Sequence, residues 1–345
     1  MNSTKFIIFG LKYFYIKLIC ITILIFIFVQ INKKYINLYY FFEKGINKEY
    51  CYNIGLLVYD YHYSLNKPIK NGNIGDYIQS LAAFQYIPKK CFPILIERDT
   101  IQYYHGPNVK LLMNGWFSIQ EGNKFTSSQI YPIYLSIHLE NNIKDDRMIK
   151  HLKKYEPIGC RDIYTYNLLL NESIKAFFSS CLTTTLDINY YKSDFFRSEE
   201  IIFTDFKFGY LYKADEYIKK LKAYNFKNIT YLTHIFSNNK SHLERFRRAH
   251  FLLQKYAKAK LVITTRIHAA LPCLALKTPV IFVNKKYDKL RYDGIYDLLN
   301  TIGVNSNNVF EIKVNLNRYG FIFNSKKYLN YSKKLKKLTK IKFQF

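Results

Sequence analysis

At 345 residues, with 49% hydrophobic and 18% aromatic side chains, among them 33 Tyr and 28 Phe, the chain carries ample apolar surface to offset its conformational entropy. That excludes a disordered body, and the length suits two α/β domains of ordinary size. The formal charge of +27 points to nucleic acid, an anionic membrane surface or a small acidic substrate, but the lysines are dispersed through a sequence rich in Lys, Asn, Ile and Tyr, as an AT-rich coding bias produces, and no nucleic-acid partner is expected.

Residues 18–31 form an uncharged apolar run, preceded by a nearly apolar stretch from Phe6 that only Lys12 and Lys17 interrupt. A span needs roughly 20 residues and long lysines snorkel at its ends, so residues 13–31 read as one transmembrane helix. No small-residue cleavage site follows, which favours a retained anchor, and lysines on both flanks leave its orientation open. Residues 1–48 are thus membrane anchor and linker, and the expected location is a single-pass membrane attachment.

Residues 52–59 are a short apolar run bounded by turn residues, the pattern of a buried strand. The glycine loop NGNIGD at 71–76 follows, then a helix over 77–86 with Ile78, Leu81, Ala82 and Gln85 at helical spacing. Strands are expected at 93–96, 110–113 and 130–137, and helices at 147–155 and 163–170. A polar stretch at 189–198 divides a first Rossmann-like domain, 49–190, from a second, 191–315. There the cycle repeats: strands at 200–204, 229–232, 261–264 and 280–283, helices at 214–223, 243–257 and 268–276. Short apolar runs alternating with helices argue for parallel sheets covered on both faces. In the tail, 316–345, Tyr328, Tyr331, Leu335 and Leu338 recur at helical spacing beneath a basic face, so this segment either lies on a membrane surface or closes the fold.

The six cysteines stand singly, without CxxC or paired His at zinc spacing, so no metal is expected; their even count permits disulfides in a lumen, but reduced, partly buried thiols are the default. Sequons at Asn2, Asn171, Asn228, Asn239 and Asn330 do not settle the compartment in so Asn-rich a chain.

Three constellations carry chemistry. Gly72, Asn73, Gly75 and Asp76 lie at a strand-to-helix turn, where glycines admit a ligand to the backbone and the helix start offers free N–H groups, although an ordinary Asp cap gives the same pattern. Arg161, in PIGCRD at 157–162, opens a helix and offers a planar fork to a carboxylate or phosphate; a simple contact with Asp162 is the plainer alternative. In LVITTRIH at 261–268, Arg266 and His268 flank apolar Ile267 at the carboxyl end of a buried strand, and the alternation reads as both pointing one way.

The segments GNIGDYIQSLAAFQYI, NGWF, PIGCRDIYTYNLLL, FFSSCLTTTL, AKLVITTRIHAALPCLALKTPVIFV and RYDGIYDLL, in this order and spacing, resemble the polysaccharide pyruvyl transferase family from about residue 50 to about residue 315. Thr265 stands where that family often has Ser. The resemblance implies two Rossmann-like domains in a glycosyltransferase-B-like arrangement, phosphoenolpyruvate as donor in the cleft, a glycan acceptor, and no metal or organic cofactor. Carried over motif by motif, Asp76 acts on the acceptor while Arg161, Arg266 and His268 hold the donor, with Asp76 and His268 sharing base and acid roles in an order left open. Asn73 and Gly75 belong to the same loop. His105, His138, Ser180, Cys181, Thr183, Asp293 and Trp116 are weaker candidates that packing or turn formation explains equally well. A nucleotide-sugar glycosyltransferase is the competing reading on the same inferred fold, but no acidic residue is placed to hold a ribose.

Overall fold

Apolar runs too short for helices alternate along the chain with amphipathic stretches, and the secondary structure follows them. The computed structural model describes residues 49–60, 71–88, 90–117, 126–140, 143, 145–191, 197–224 and 226–342. The stretch expected to span a membrane, 13–31, lies outside the described residues. Among those described, no helix is long and apolar enough to cross a membrane.

The first half runs β1 (Glu49–Val58), β2 (Asn71–Asn73), α1 (Ile74–Phe84), β3 (Cys91–Glu97), β4 (Val109–Met113), β5 (Trp116–Phe117), β6 (Ile130–Tyr134), β7 (His138–Leu139), α2 (Asp146–Lys154), β8 (Ile158–Cys160), α3 (Ile163–Asn171) and β9 (Ala176–Phe178). The second runs β10 (Ile201–Thr204), α4 (Tyr212–Lys219), β11 (Ile229–Leu232), β12 (Ile235–Ser237), α5 (His242–Lys258), β13 (Leu261–Thr264), α6 (Ile267–Ala275), β14 (Val280–Asn284), α7 (Lys289–Tyr292), β15 (Asn300–Val304), β16 (Phe310–Lys313) and α8 (Tyr328–Lys342). Residues 50–345 pack as one compact unit.

Two sheets form its core. One has strand order β3-β1-β4-β6, with β1, β4 and β6 parallel. The other has order β11-β10-β13-β14-β15-β16, parallel throughout except for the antiparallel edge strand β16. The fold is thus mixed α/β with parallel sheets, as the alternating pattern anticipates. Strands β10, β13 and β14 are buried along their whole length, which is why they read as unbroken apolar runs. In each sheet the chain order reverses beside the first strand laid down, between β1 and β4 and between β10 and β13, and crevices at strand carboxyl ends open at such points.

The two halves interlock. Strand β2 pairs antiparallel with β12 of the second half, Gly72 opposite Phe236, and the Ile74 amide donates to the His234 carbonyl at 2.8 Å. Helix α1 packs along α5, where the Tyr77 and Phe246 rings meet edge-on at 5.0 Å.

Four expectations are corrected or sharpened. Cys51 and Cys91 are joined by a disulfide rather than reduced, because β1 and β3 are neighbours in the first sheet; Cys160, Cys181 and Cys273 remain free and buried. Helix α1 starts at Ile74, three residues before the expected start, because the Asn73 side chain caps it by accepting from the Gly75 amide. The expected strand 130–137 breaks after Tyr134, since Ser136 takes a left-handed conformation, φ 64°, before β7 resumes. The basic tail closes the fold: on α8, Tyr328, Ser332, Leu335 and Thr339 are buried, and the Ser332 hydroxyl donates to the Thr184 carbonyl at 3.0 Å, anchoring the chain's end on its first half.

Candidate active site

His268 is the centre of the site. It is the second residue of α6, whose entry is shaped by the last turn of β13: the Thr264 hydroxyl accepts from the Arg266 amide at 2.9 Å and donates to the Thr204 carbonyl at 3.0 Å. Arg266 is the residue before the helix and His268 lies within it, so the two do not alternate along a strand as expected; the change to helical geometry sets their directions. The imidazole is 8% exposed and its Nε2 is buried without a hydrogen-bond partner. Burial pushes its pKa well below the ordinary histidine value, and Arg161, His234, Arg291 and Arg266 push the same way, so the ring is neutral at physiological pH.

Those same neighbours include a cluster of cations. Arg161 is 2% exposed, and its Nε and Nη2 are buried with no hydrogen-bond partner. Its Nε stands 3.5 Å from Asp162 Oδ2, close enough for charge attraction but not aligned for a hydrogen bond. Asp162 is committed elsewhere: Oδ1 accepts from the Thr165 amide at 2.9 Å, capping α3, and Oδ2 pairs with His138 Nδ1 at 2.8 Å. A buried guanidinium with unfilled donors costs free energy unless an anion completes it. The carboxylate-paired His138 is itself held below its ordinary pKa, first by burial and then by Arg161, with Asp162 opposing.

Arg266 approaches from the second sheet. Its Nε donates to Asp205 Oδ2 at 2.7 Å. Asp205 follows β10 at the switch point, in a left-handed conformation, φ 49°. Burial opposes its ionisation, but the Thr233 hydroxyl, the His234 amide and Arg266 outweigh that and hold its carboxyl below the usual range. The His234 imidazole behind it is fully buried and pushed down to about 3, by burial foremost. Arg291 belongs to α7, at the exposed rim, and is tied to the site through the Asp293 carbonyl, which accepts from the Ile163 amide at 3.1 Å at the start of α3.

The glycine loop closes the other side. A Cβ on Gly75 would meet His268 Nδ1 at 2.9 Å and Asn73 Oδ1 at 3.1 Å, so glycine is what lets the loop lie against the imidazole. The adjoining Asp76 is 8% exposed and its Oδ1 accepts from Gln79 Nε2 at 3.2 Å. Gly75, Arg161, Arg266 and His268 are therefore gathered from three separate motifs into one neighbourhood, with Asn73 and Asp76 on the loop that reaches it.

Of the weaker candidates, His138 joins this neighbourhood. Ser180, left-handed at φ 62° with its hydroxyl buried and unpartnered, and Cys181, whose thiol is pushed up by burial and whose charge neighbours include Arg161, border it. Thr183 donates to the Cys181 sulfur. His105 is exposed on a turn before β4, and Trp116 packs its ring against the Arg98 guanidinium, 5.4 Å from the centroid. Sequence reasoning missed Asp205, His234 and Arg291. The first two follow expected strands at their carboxyl ends, a signal that was legible, whereas Arg291 lies in the quoted segment RYDG without a local reason to single it out. A hollow of about 520 Å³, lined by Asn108, Lys110, Gln129 and Tyr155, lies instead near the amino ends of β4 and β6, the wrong end of a parallel sheet for its ligand.

The family model described as polysaccharide pyruvyl transferase matches residues 73–287, more than half of the chain and every motif of the cluster up to α6. The chain belongs to the polysaccharide pyruvyl transferase family. As a pyruvyl transferase it is a transferase with a glycan-modifying role, and the matched span includes Asn73, Gly75, Asp76, Arg161, Arg266 and His268. No curated protein matches it. Among solved structures, an uncharacterised protein from Klebsiella pneumoniae subsp. pneumoniae NTUH-K2044 is similar at 16% identity and TM-score 0.43, covering 74% of this chain and 94% of its own. At that level the likeness carries no argument about this pyruvyl transferase.

Proposed function

We propose that this pyruvyl transferase moves the enolpyruvyl group of phosphoenolpyruvate onto sugar hydroxyls of a glycan, forming a pyruvate ketal. The observation that carries the reading is the buried Arg161, its Nε and Nη2 unfilled, sharing with Arg266 and Arg291 the surroundings of a neutral His268. Phosphoenolpyruvate presents a carboxylate and a phosphate on three carbons, and cations arriving from both halves suit such a doubly anionic donor. The two sheets would then be the lobes of a glycosyltransferase-B-like arrangement, 49–190 and 191–315, with the donor between them.

In this mechanism the donor's negative charge lifts the depressed pKa of His268 and lets the imidazole take up a proton. His268 delivers that proton to the methylene carbon, leaving cationic character at the adjacent carbon. Asp76 takes the proton of the attacking sugar hydroxyl, whose oxygen bonds to that carbon. Phosphate then departs with its C–O bonding electrons, a second hydroxyl bonds in its place and loses its proton, and the ketal results. The Cys51–Cys91 disulfide supports a body held in an oxidising compartment, tethered by residues 13–31.

Thermal shift and mass spectrometry of the full chain test the proposal. Phosphoenolpyruvate stabilises the protein, UDP and GDP sugars do not, and a β-galactoside, N-acetylmannosamine or glucose acceptor gains the mass of one pyruvate less water. Stabilisation by the nucleotide sugars with indifference to phosphoenolpyruvate would instead establish the glycosyltransferase reading.

A further inference from the structure

A second cluster of chemically active side chains lies beside Tyr77, the residue after Asp76 on α1. Asp60 follows β1, Glu97 ends β3, and His242 opens α5; the ligating atoms of all three lie within 4.8 Å of one another. They come from 60, 97 and 242 in sequence, so no short motif announces them.

Hydrogen bonds tie this cluster to α1. The Tyr77 hydroxyl stands 2.9 Å from the Tyr59 carbonyl and 2.7 Å from His242 Nδ1, and Arg245 Nη1 donates to both the carbonyl and the hydroxyl oxygen. When the hydroxyl donates to the carbonyl, its oxygen accepts from an Nδ1–H of His242. In that tautomer the Nε2 lone pair faces Asp60 Oδ1, 3.3 Å away. A lone pair facing a carboxylate oxygen at this distance needs either a second proton on the ring or a cation between them. Glu97 adds an unsatisfied acceptor: its Oε1 accepts from the Asp99 amide at 3.2 Å, while its Oε2 is buried with no partner.

We propose that Asp60, Glu97 and His242 bind one divalent transition-metal ion of the Zn²⁺ type. Two carboxylates and one imidazole are the mixed oxygen and nitrogen donor set such ions take, with a water completing the fourth position. Metal–ligand bonds of about 2.0 Å in a tetrahedron put ligand atoms about 3.3 Å apart, which is the His242 Nε2–Asp60 Oδ1 separation, and the Glu97 carboxylate lies within 4.8 Å of both. Tyr77 supplies the outer partner that orients a metal-ligating histidine. Arg245 Nη1 is 3.8 Å from Asp60 Oδ1, and burial holds the Glu97 carboxyl up to about 8, so a cation binds here by displacing the proton that Glu97 otherwise keeps. Asp60 is 37% exposed in its side chain, which gives the ion a way in from solvent. Bound there, the ion ties the ends of β1 and β3 to the start of α5 and holds α1, with its glycine loop, against the second half. The ion's site stands independently of the donor proposed above.

The test uses the full chain, stripped with a chelator and dialysed. Titration with Zn²⁺ followed by desalting and elemental analysis is expected to find one equivalent per chain, and Co²⁺ is expected to give the intense visible bands of a tetrahedral site. His242→Gln and Glu97→Gln lose that equivalent, and Tyr77→Phe binds about 10–100-fold more weakly while keeping the stoichiometry. Absence of stoichiometric metal in the wild type at tenfold excess overturns the proposal whatever the variants do, leaving His242 paired with Asp60 alone. Undiminished binding in His242→Gln and Glu97→Gln, with native far-UV circular dichroism, overturns it as well.

Discussion

Arg161 is held in a position that a bound anion would complete. Its burial at 2% exposure removes water from a guanidinium whose Nε and Nη2 find no partner, and Asp162 is too engaged with His138 and the α3 cap to supply one. Hydrogen bonds to a charged group contribute about 1.5–3 kcal/mol each. Arg161→Gln is therefore expected to lower kcat/KM at least about 100-fold and to abolish thermal stabilisation by phosphoenolpyruvate; a variant that keeps both would remove Arg161 from donor binding. Gly75 makes a second demand of this kind, because a methyl group there would sit 2.9 Å from His268 Nδ1. Gly75→Ala displaces the imidazole rather than the guanidinium, so kcat is expected to fall at least about tenfold with a smaller change in the KM for donor. Steady-state kinetics that show the reverse split would place His268 outside the chemical step.

Helix α8 shows why composition alone misjudges a basic segment. Lys333, Lys334, Lys336, Lys337 and Lys340 face solvent, yet Leu335 is fully buried and Ser332 and Thr339 are buried beside it, against elements more than a hundred residues earlier in the chain. Removing the Leu335 side chain beyond Cβ leaves a cavity, so Leu335→Ala is expected to destabilise the protein by about 2–5 kcal/mol in urea denaturation. A change below about 0.5 kcal/mol would mean that the helix is a surface appendage. The same reasoning applies to β2, three residues long and held by its pairing with β12 and by the His234 carbonyl, which fixes the start of α1 and so the height at which the glycine loop meets α6.

Acid should loosen the whole fold, because its interior stores neutral histidines. His138, His234 and His268 are 1%, 0% and 8% exposed, and each is held below its ordinary pKa, burial being the largest cause, with His234 pushed down to about 3. Unfolded, each titrates near about 6.5. Between that value and the lower folded one the unfolded chain binds more protons, so stability is on its plateau above about pH 6.5 and declines as pH falls, by up to about 1.4 kcal/mol per pH unit for each histidine. The urea midpoint at pH 5.0 is expected to lie clearly below that at pH 7.5, and a flat profile would mean these rings are protonated or solvated in the native state. Occupation of the anion site should oppose this loss, since a bound dianion favours the protonated His268.

Sequence by itself determined the alternation of strands and helices, because burial on both sheet faces demands apolar runs and the covering helices demand a period near 3.6, both local requirements. The glycine loop, Arg161, Arg266 and His268 were also legible, since each stands at a strand-to-helix junction with a residue type of known chemistry. What only the tertiary structure decided was convergence. The Cys51–Cys91 bond, the Asp205 and His234 support behind Arg266, the reach of Arg291 and the grouping of Asp60, Glu97 and His242 all join residues tens to hundreds of positions apart. Strand order and helix packing bring such groups together, and these depend on contacts between distant segments that local periodicity does not encode.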